Sequence, residues 1–323
     1  MPWWTLLATP ADWPPAVFVT GTLFFAAAFV ATPVFLMSLG HGRRHLDWAA
    51  VTAVTLLGTA WVLFVWSMLG QVMRLVLQLV GVEDQARSRI VSLAVVTVAV
   101  ALLGWGFVEA MRVPRVKKVD VAGTRFGRGL DGLRVAVITD THYGPIDRAR
   151  WSAAVAARVN ELRADIVCHV GDIADGTVEI REKNQAGALA SVEATSALVY
   201  VTGNHEYFSE AQEWLDYMES IGWEALHNRH IVVERGGDRL IVAGGVDDAT
   251  AKASFVDGHG EDLDAALADA TATYRSSCWR INPNRSCTPR ARASICRCRA
   301  TLTGARSGRS ISWCGSSSRW CTV

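Results

Sequence analysis

No Asp or Glu follows Asp269 in this chain of 323 residues. Cysteine shows the opposite bias, with six of the seven falling between Cys278 and Cys321 and Cys168 alone before them. A lone cysteine in the body of the chain excludes a disulfide framework there. The net charge of +1 excludes the one-signed basic field of a nucleic-acid binder. No internal repeat and no nucleotide-binding glycine loop is present. Long hydrophobic runs are plentiful, but they are concentrated in the first third.

Residues 16–39, 49–69 and 90–110 are three apolar stretches long enough to span a bilayer. A signal peptide would account for the first alone and would need a cleavage site. The segment 71–82 is apolar but short and holds Arg74, which suggests an interfacial continuation of the second span. Basic residues flank the spans unevenly. Arg43 and Arg44 lie between the first two, and Arg112, Arg115, Lys117 and Lys118 follow the third. The positive-inside rule then puts the amino terminus outside and everything after residue 111 in the cytoplasm, with Arg74, Arg87 and Arg89 on the opposite loop counting against it. The expectation is a multi-pass protein of the cell membrane.

Three short motifs follow, each closing an apolar run that has the character of a strand. They are Asp140-Thr141-His142 after 133–139, Gly171-Asp172 after 166–170, and Gly203-Asn204-His205-Glu206 after 198–202. Asp-x-His and Gly-Asp are each common in loops, and Gly-Asn-His-Glu after an apolar strand is more specific; all three in this order, with helix-length spacers, point to one metal site. Hard divalent ions take carboxylate, carbonyl and imidazole ligands. Residues two apart on extended chain point the same way, so Asp140 and His142 can converge on one ion. Asp172 can bridge to a second ion, Asn204 can offer it an amide oxygen, and His205 is left as a protonated imidazole beside a leaving group. Two ions about 3.5–4 Å apart can clamp the attacking hydroxide and the leaving oxygen of a phosphate ester.

With these motifs, residues 112–274 resemble the calcineurin-like metallophosphoesterase family, in particular bacterial members with an amino-terminal membrane region. The resemblance implies an α/β/β/α two-sheet sandwich and hydrolysis of phosphate mono- or diesters by two divalent ions drawn from Mn, Fe, Zn or Mg. It assigns Asp140, His142 and Asp172 to the first ion, Asp172 and Asn204 to the second, and the catalytic role to His205. The substrate is a phosphate ester, with a lipid-linked one favoured by the closeness of the bilayer. The family also uses a later His after a strand and a final Gly-His-x-His motif, and this chain has neither.

The tail explains that gap. A basic disordered tail and a zinc or disulfide module are both poor fits, since Cys296-Arg297-Cys298 has no second pair at zinc spacing. Shifting the reading frame, with synonymous codons chosen freely, lets 275–283 encode V-L-L-L-A-H-Q-P. The same shift lets 292–310 encode G-V-D-L-Q-L-S-G-H-T-H-G-G-Q-I-W-P-F. Those are the two missing motifs in the family's order. A frameshift near Tyr274 or Arg275 follows, which leaves 112–275 as the phosphoesterase domain, incomplete at its C-terminus, and no native fold expected for 276–323. The alternative function is a catalytically dead membrane protein with a half-built site.

Between the motifs, 147–163 carries Trp151, Val155, Val159 and Leu162 on one helical face, a crossover between parallel strands with Trp151 in the core. A second helix is expected at 208–221, and 231–234 and 240–243 suggest strands of another sheet. His169 fits a hydrogen-bonded core histidine, while His227, His230 and His259 lie in polar segments. Gly258-His259-Gly260 lacks the second His and the preceding strand of the family's last motif.

Overall fold

The computed structural model describes residues 1–10, 13–36, 46–122, 126–183, 185–245, 251, 259–260 and 262–268, and the backbones of 277–281, 295–298 and 317–322. The chain divides into two compact units, Met1–Arg112 and Val113–Val323.

The first unit holds a short helical turn, Trp4–Ala8, and three long helices: α1 (Pro15–Leu36), α2 (Asp47–Leu79) and α3 (Asp84–Ala110). All three are long and apolar enough to cross a membrane by length and composition. Large apolar side chains such as Phe29, Trp61, Leu93 and Trp105 are exposed on them, as expected of surfaces solvated by lipid rather than water. The buried positions of α2 and α3 are mostly small residues instead. Ala49, Ala53, Ser67 and Gly70 are buried on α2, and Val91, Ser92, Val95 and Ala99 on α3, which lets backbones approach closely. A Cβ on Gly70 would sit 3.1 Å from methyls of both Val91 and Val95.

The interfacial segment expected at 71–82 continues α2 without a break as far as Leu79. Its polar side chains find partners: Gln71 donates to Thr5 Oγ1 at 2.8 Å and Arg74 pairs with Asp84 at 3.1 Å. At 1.5 Å per residue α2 is about 50 Å long, well over the ~30 Å hydrocarbon core, so one end projects from any bilayer it crosses upright. Gly81, with φ of 81°, turns the chain into α3. Residues 37–39 of the first expected span, and Arg43 and Arg44, lie outside the described residues.

The second unit is a two-sheet sandwich. One sheet has the order β1 (Lys117–Ala122), β10 (Ser317–Thr322), β2 (Val135–Ile138), β3 (Ile166–Val170), β4 (Ala197–Val201), β5 (Glu224–Ala225); the other runs β6 (His230–Arg235), β7 (Asp238–Gly244), β8 (Ser277–Ile281), β9 (Ile295–Cys298). Strands β2 to β5 are mutually parallel, with Ala136, Val167 and Leu198 abreast and Ile138, His169 and Tyr200 one pleat on. Alternation therefore sends Val135, Ile166, Cys168, Val170, Val199 and Val201 toward Val233, Leu240 and Val242 of the second sheet. Ala136, Ile138, Val167 and Tyr200 face the helices α4 (Ala149–Glu161) and α7 (Ala211–Ser220), with the short helices α5 (Val178–Arg181) and α6 (Asn204–Tyr207) between them in the chain. Trp151 lies in that layer, 8% exposed, as its spacing on the helix predicts. The β6–β7 hairpin turns through Gly236 and Gly237, with φ of 58° and 81°, a conformation that favours glycine.

Of the expectations for 276–323, only three strand backbones are within the described residues. Strand β8 pairs in parallel with β7 and with β9, and β10 inserts between β1 and β2. The rest of that tail lies outside the described residues.

Candidate metal centre

Parallel strands release their C-terminal loops at one edge, and ligands converge there because three neighbouring strands end together. The loop after β2 carries Asp140 and His142, the loop after β3 carries Asp172, and β4 runs into the short helix α6 (Asn204–Tyr207). The first two loops are laced by backbone bonds: Asp140 N–H donates to Gly171 O at 3.3 Å, His142 N–H to Asp172 O at 3.1 Å, and Tyr143 N–H to Ile173 O at 2.9 Å. Asp140, His142 and Asp172 all sit in the left-handed region, at φ of 55°, 42° and 52°. Non-glycine residues held there cost about 1–3 kcal/mol each and persist where surrounding structure over-determines them, typically at functional sites. The motif glycines allow the loops to touch. A Cβ on Gly171 would lie 2.6 Å from Gly203 Cα, and one on Gly203 2.2 Å from Asp172 Oδ1.

Among the described residues, two groups of side chains have ligand atoms within 4.8 Å of one another. The first is Asp140, His142 and Asp172, the trio that the family resemblance assigns to one ion. The second is His142, Asp175 and His205. Asp175 has no role in the sequence-based assignment, although it stands three residues beyond Asp172, where a bent loop can return a second carboxylate to the same edge. Its Oδ1 accepts from His205 Nδ1 at 2.6 Å and lies 3.3 Å from His142 Nδ1. Burial alone would raise the Asp175 pKa, but the two imidazoles hold it well below the usual carboxylate range. The Asp175 hydrogen bond, opposed by burial, raises the pKa of His205. Burial disfavours the His142 imidazolium, yet the carboxylates of Asp175, Asp172 and Asp140 outweigh it and raise its pKa too. The two imidazole rings meet edge to face, 4.4 Å between centroids.

Glu206 closes the same edge from below. Fully buried, it accepts the backbone N–H groups of Gly203 at 2.6 Å, Ile173 at 2.6 Å and Asp172 at 3.1 Å. Asp172 in turn accepts the His205 N–H at 3.0 Å. One carboxylate thus ties the second motif to the third, while burial and the charge of Asp172 push its pKa up to about 7 against those N–H groups. Asn204 opens α6, adjacent to His205 in the chain.

His169 is the core histidine expected from its place in β3. The Thr141 hydroxyl donates to Ile173 O at 2.8 Å, so it accepts from His169 Nε2–H at 3.1 Å, which fixes the tautomer. Burial drops the His169 pKa to about 3. The sign follows: below its ordinary value near 6.5 the unfolded chain takes up a proton that the folded chain refuses. Stability is therefore full above pH 6.5 and declines as pH falls toward 3. We expect a loss of about 1.4 kcal/mol per pH unit in that window, measured by denaturant unfolding. The same slope in His169→Phe would contradict the assignment.

The residues present suit a hard or borderline divalent ion, two carboxylates and an imidazole converging within ligand reach. Comparison with known proteins agrees. A family model described as calcineurin-like phosphoesterase matches residues 133–287. A transmembrane protein with metallophosphoesterase domain from Danio rerio is 33% identical over 216 residues, 65% of this chain and 49% of that one. Its namesake from Bos taurus is 29% identical over 196 residues, covering 58% and 44%. An uncharacterized metallophosphoesterase from Campylobacter jejuni is 27% identical over 201 residues, covering 61% and 52%. The chain spans about half the length of the curated relatives it matches. The motif loops, their metal-competent clusters and these matches together identify residues 133–287 as a calcineurin-like phosphoesterase domain.

Proposed function

We propose that this protein is a membrane-anchored, divalent-metal-dependent hydrolase of phosphate esters. The observation that carries the proposal is the convergence of Asp140, His142 and Asp172 beside the His205–Asp175 pair. Asp140, His142 and Asp172 would hold one ion, and Asp172 with Asn204 would contribute to a second. Ions held there would polarise the phosphoryl group and lower the pKa of an attacking water. Hydrolysis forms a bond from water oxygen to phosphorus and breaks the ester P–O bond. His205 gives the departing oxygen its proton: Asp175 occupies Nδ1, so Nε2 is the donating nitrogen, and the carboxylate keeps the ring charged and oriented.

The apolar helices of the first unit and the names of the relatives support membrane attachment, and a lipid-linked phosphate ester suits a site tethered to a bilayer. The Arg and Lys cluster at 112–118 supports a cytoplasmic domain. With the tail cysteines changed to Ser, Lys183→Cys, which is exposed, should resist an impermeant thiol reagent on intact cells and react after permeabilisation. Efficient labelling from outside would overturn this orientation.

The displaced reading frame belongs to the same proposal, supported by the composition break after Asp269 and by the family motifs recovered in the shifted frame. Strands β8 and β9 fall in the stretches that the shifted frame makes apolar. The test of the function is hydrolysis of an aryl phosphate or phosphodiester that requires added manganese. No metal-dependent turnover in a frame-restored chain would sink it.

A further inference from the structure

Among the described residues of the second unit, three large apolar side chains are more than a third exposed: Ile146 at 39%, Phe208 at 45% and Val232 at 37%. Val232 lies on a strand of the second sheet. Ile146 and Phe208 lie at the catalytic edge, four residues after His142 and three after His205 in the chain. Phe208 touches the proposed proton donor. Its ring centroid is 5.5 Å from that of His205, with the planes tilted by 69°. Asp175 holds the Nδ1 side of that imidazole, so the group bonded to the departing oxygen must pass close to a ring flanked by Phe208. Against an apolar ligand an exposed aromatic ring supplies contact area.

We infer that Phe208, with Ile146 beside the first motif, forms a leaving-group subsite that selects phosphate esters whose leaving group is apolar. The inference rests on the phosphoesterase reading above and adds the substrate class to it. A polar leaving group such as glycerol would gain nothing from Phe208 and would have to strip water from it. Discrimination of this kind in an apolar pocket is worth about 10-fold or more per well-placed group.

The test uses the detergent-solubilised full chain in saturating manganese, titrated with phenylphosphonate and with methylphosphonate, two non-hydrolysable anions that share a head and differ in the apolar group. The expected result is about tenfold tighter binding of phenylphosphonate. The gap should collapse in Phe208→Ser, shrink in Ile146→Ser and survive in Phe208→Leu, which keeps bulk and controls for folding. Equal affinities in the unaltered chain, or a gap that Phe208→Ser leaves intact, would overturn the subsite alone. No binding of either anion by this chain or by a frame-restored one would overturn the phosphoesterase reading, and the subsite with it.

Discussion

In a frame-restored chain, Asp172→Ala is expected to weaken divalent-metal binding by more than about 100-fold, beyond the 10–100-fold typical of residues that only support a ligand. Three roles meet in this residue. It belongs to the cluster with Asp140 and His142, it is the side chain proposed to reach both ions, and its Oδ1 accepts the His205 backbone N–H at 3.0 Å. Alanine removes the shared ligand and loosens the turn that presents His205, so metal-dependent hydrolysis should vanish with it. Isothermal titration with manganese, and metal content after dialysis, measure the loss. His205→Ala is the internal comparison. It should keep metal content close to that of the unaltered chain while slowing turnover, and an equal fall in both variants would show that His205 is a ligand and not the acid.

In the same frame-restored chain, Asp175→Asn should lower turnover by about 10²–10⁴-fold, the usual worth of a positioned general acid, with little change in substrate KM. Asparagine keeps the volume but removes the charge that raises the His205 pKa and holds its Nδ1. Because the two residues act as one unit, Asp175→Asn with His205→Ala together should be no worse than His205→Ala alone. Additive losses would separate the pair.

What the sequence made legible was the chemistry carried at strand ends. Asp140, His142 and Asp172 stand out because polar ligand types interrupt apolar runs at three places, and the structure brings those three within ligand reach. Asp175 belonged to no motif, and Glu206, although part of the third, carried no role. Their distant partners, His205 for one and the N–H groups of Ile173 and Asp172 for the other, come from loops some thirty residues apart that meet only once β3 and β4 pair. The length of α2 was hidden for a related reason. Gln71 and Arg74 look like breaks in an apolar run, but Thr5 and Asp84 partner them, and a helix once started extends cheaply. Strand order was equally beyond local pattern: nothing in residues 317–322 says that they lie between β1 and β2.

The central claim is that three loops of one sheet edge build a metal-dependent phosphoesterase centre whose remaining histidines have been displaced from the reading frame. Its most direct test is the manganese-dependent kcat/KM for an aryl phosphodiester, measured side by side on this chain and on one with a single nucleotide added near codon 275. The account predicts robust metal-dependent turnover in the frame-restored protein and a rate lower by orders of magnitude in the chain as it stands. Comparable rates in the two, or no turnover in either, would contradict it.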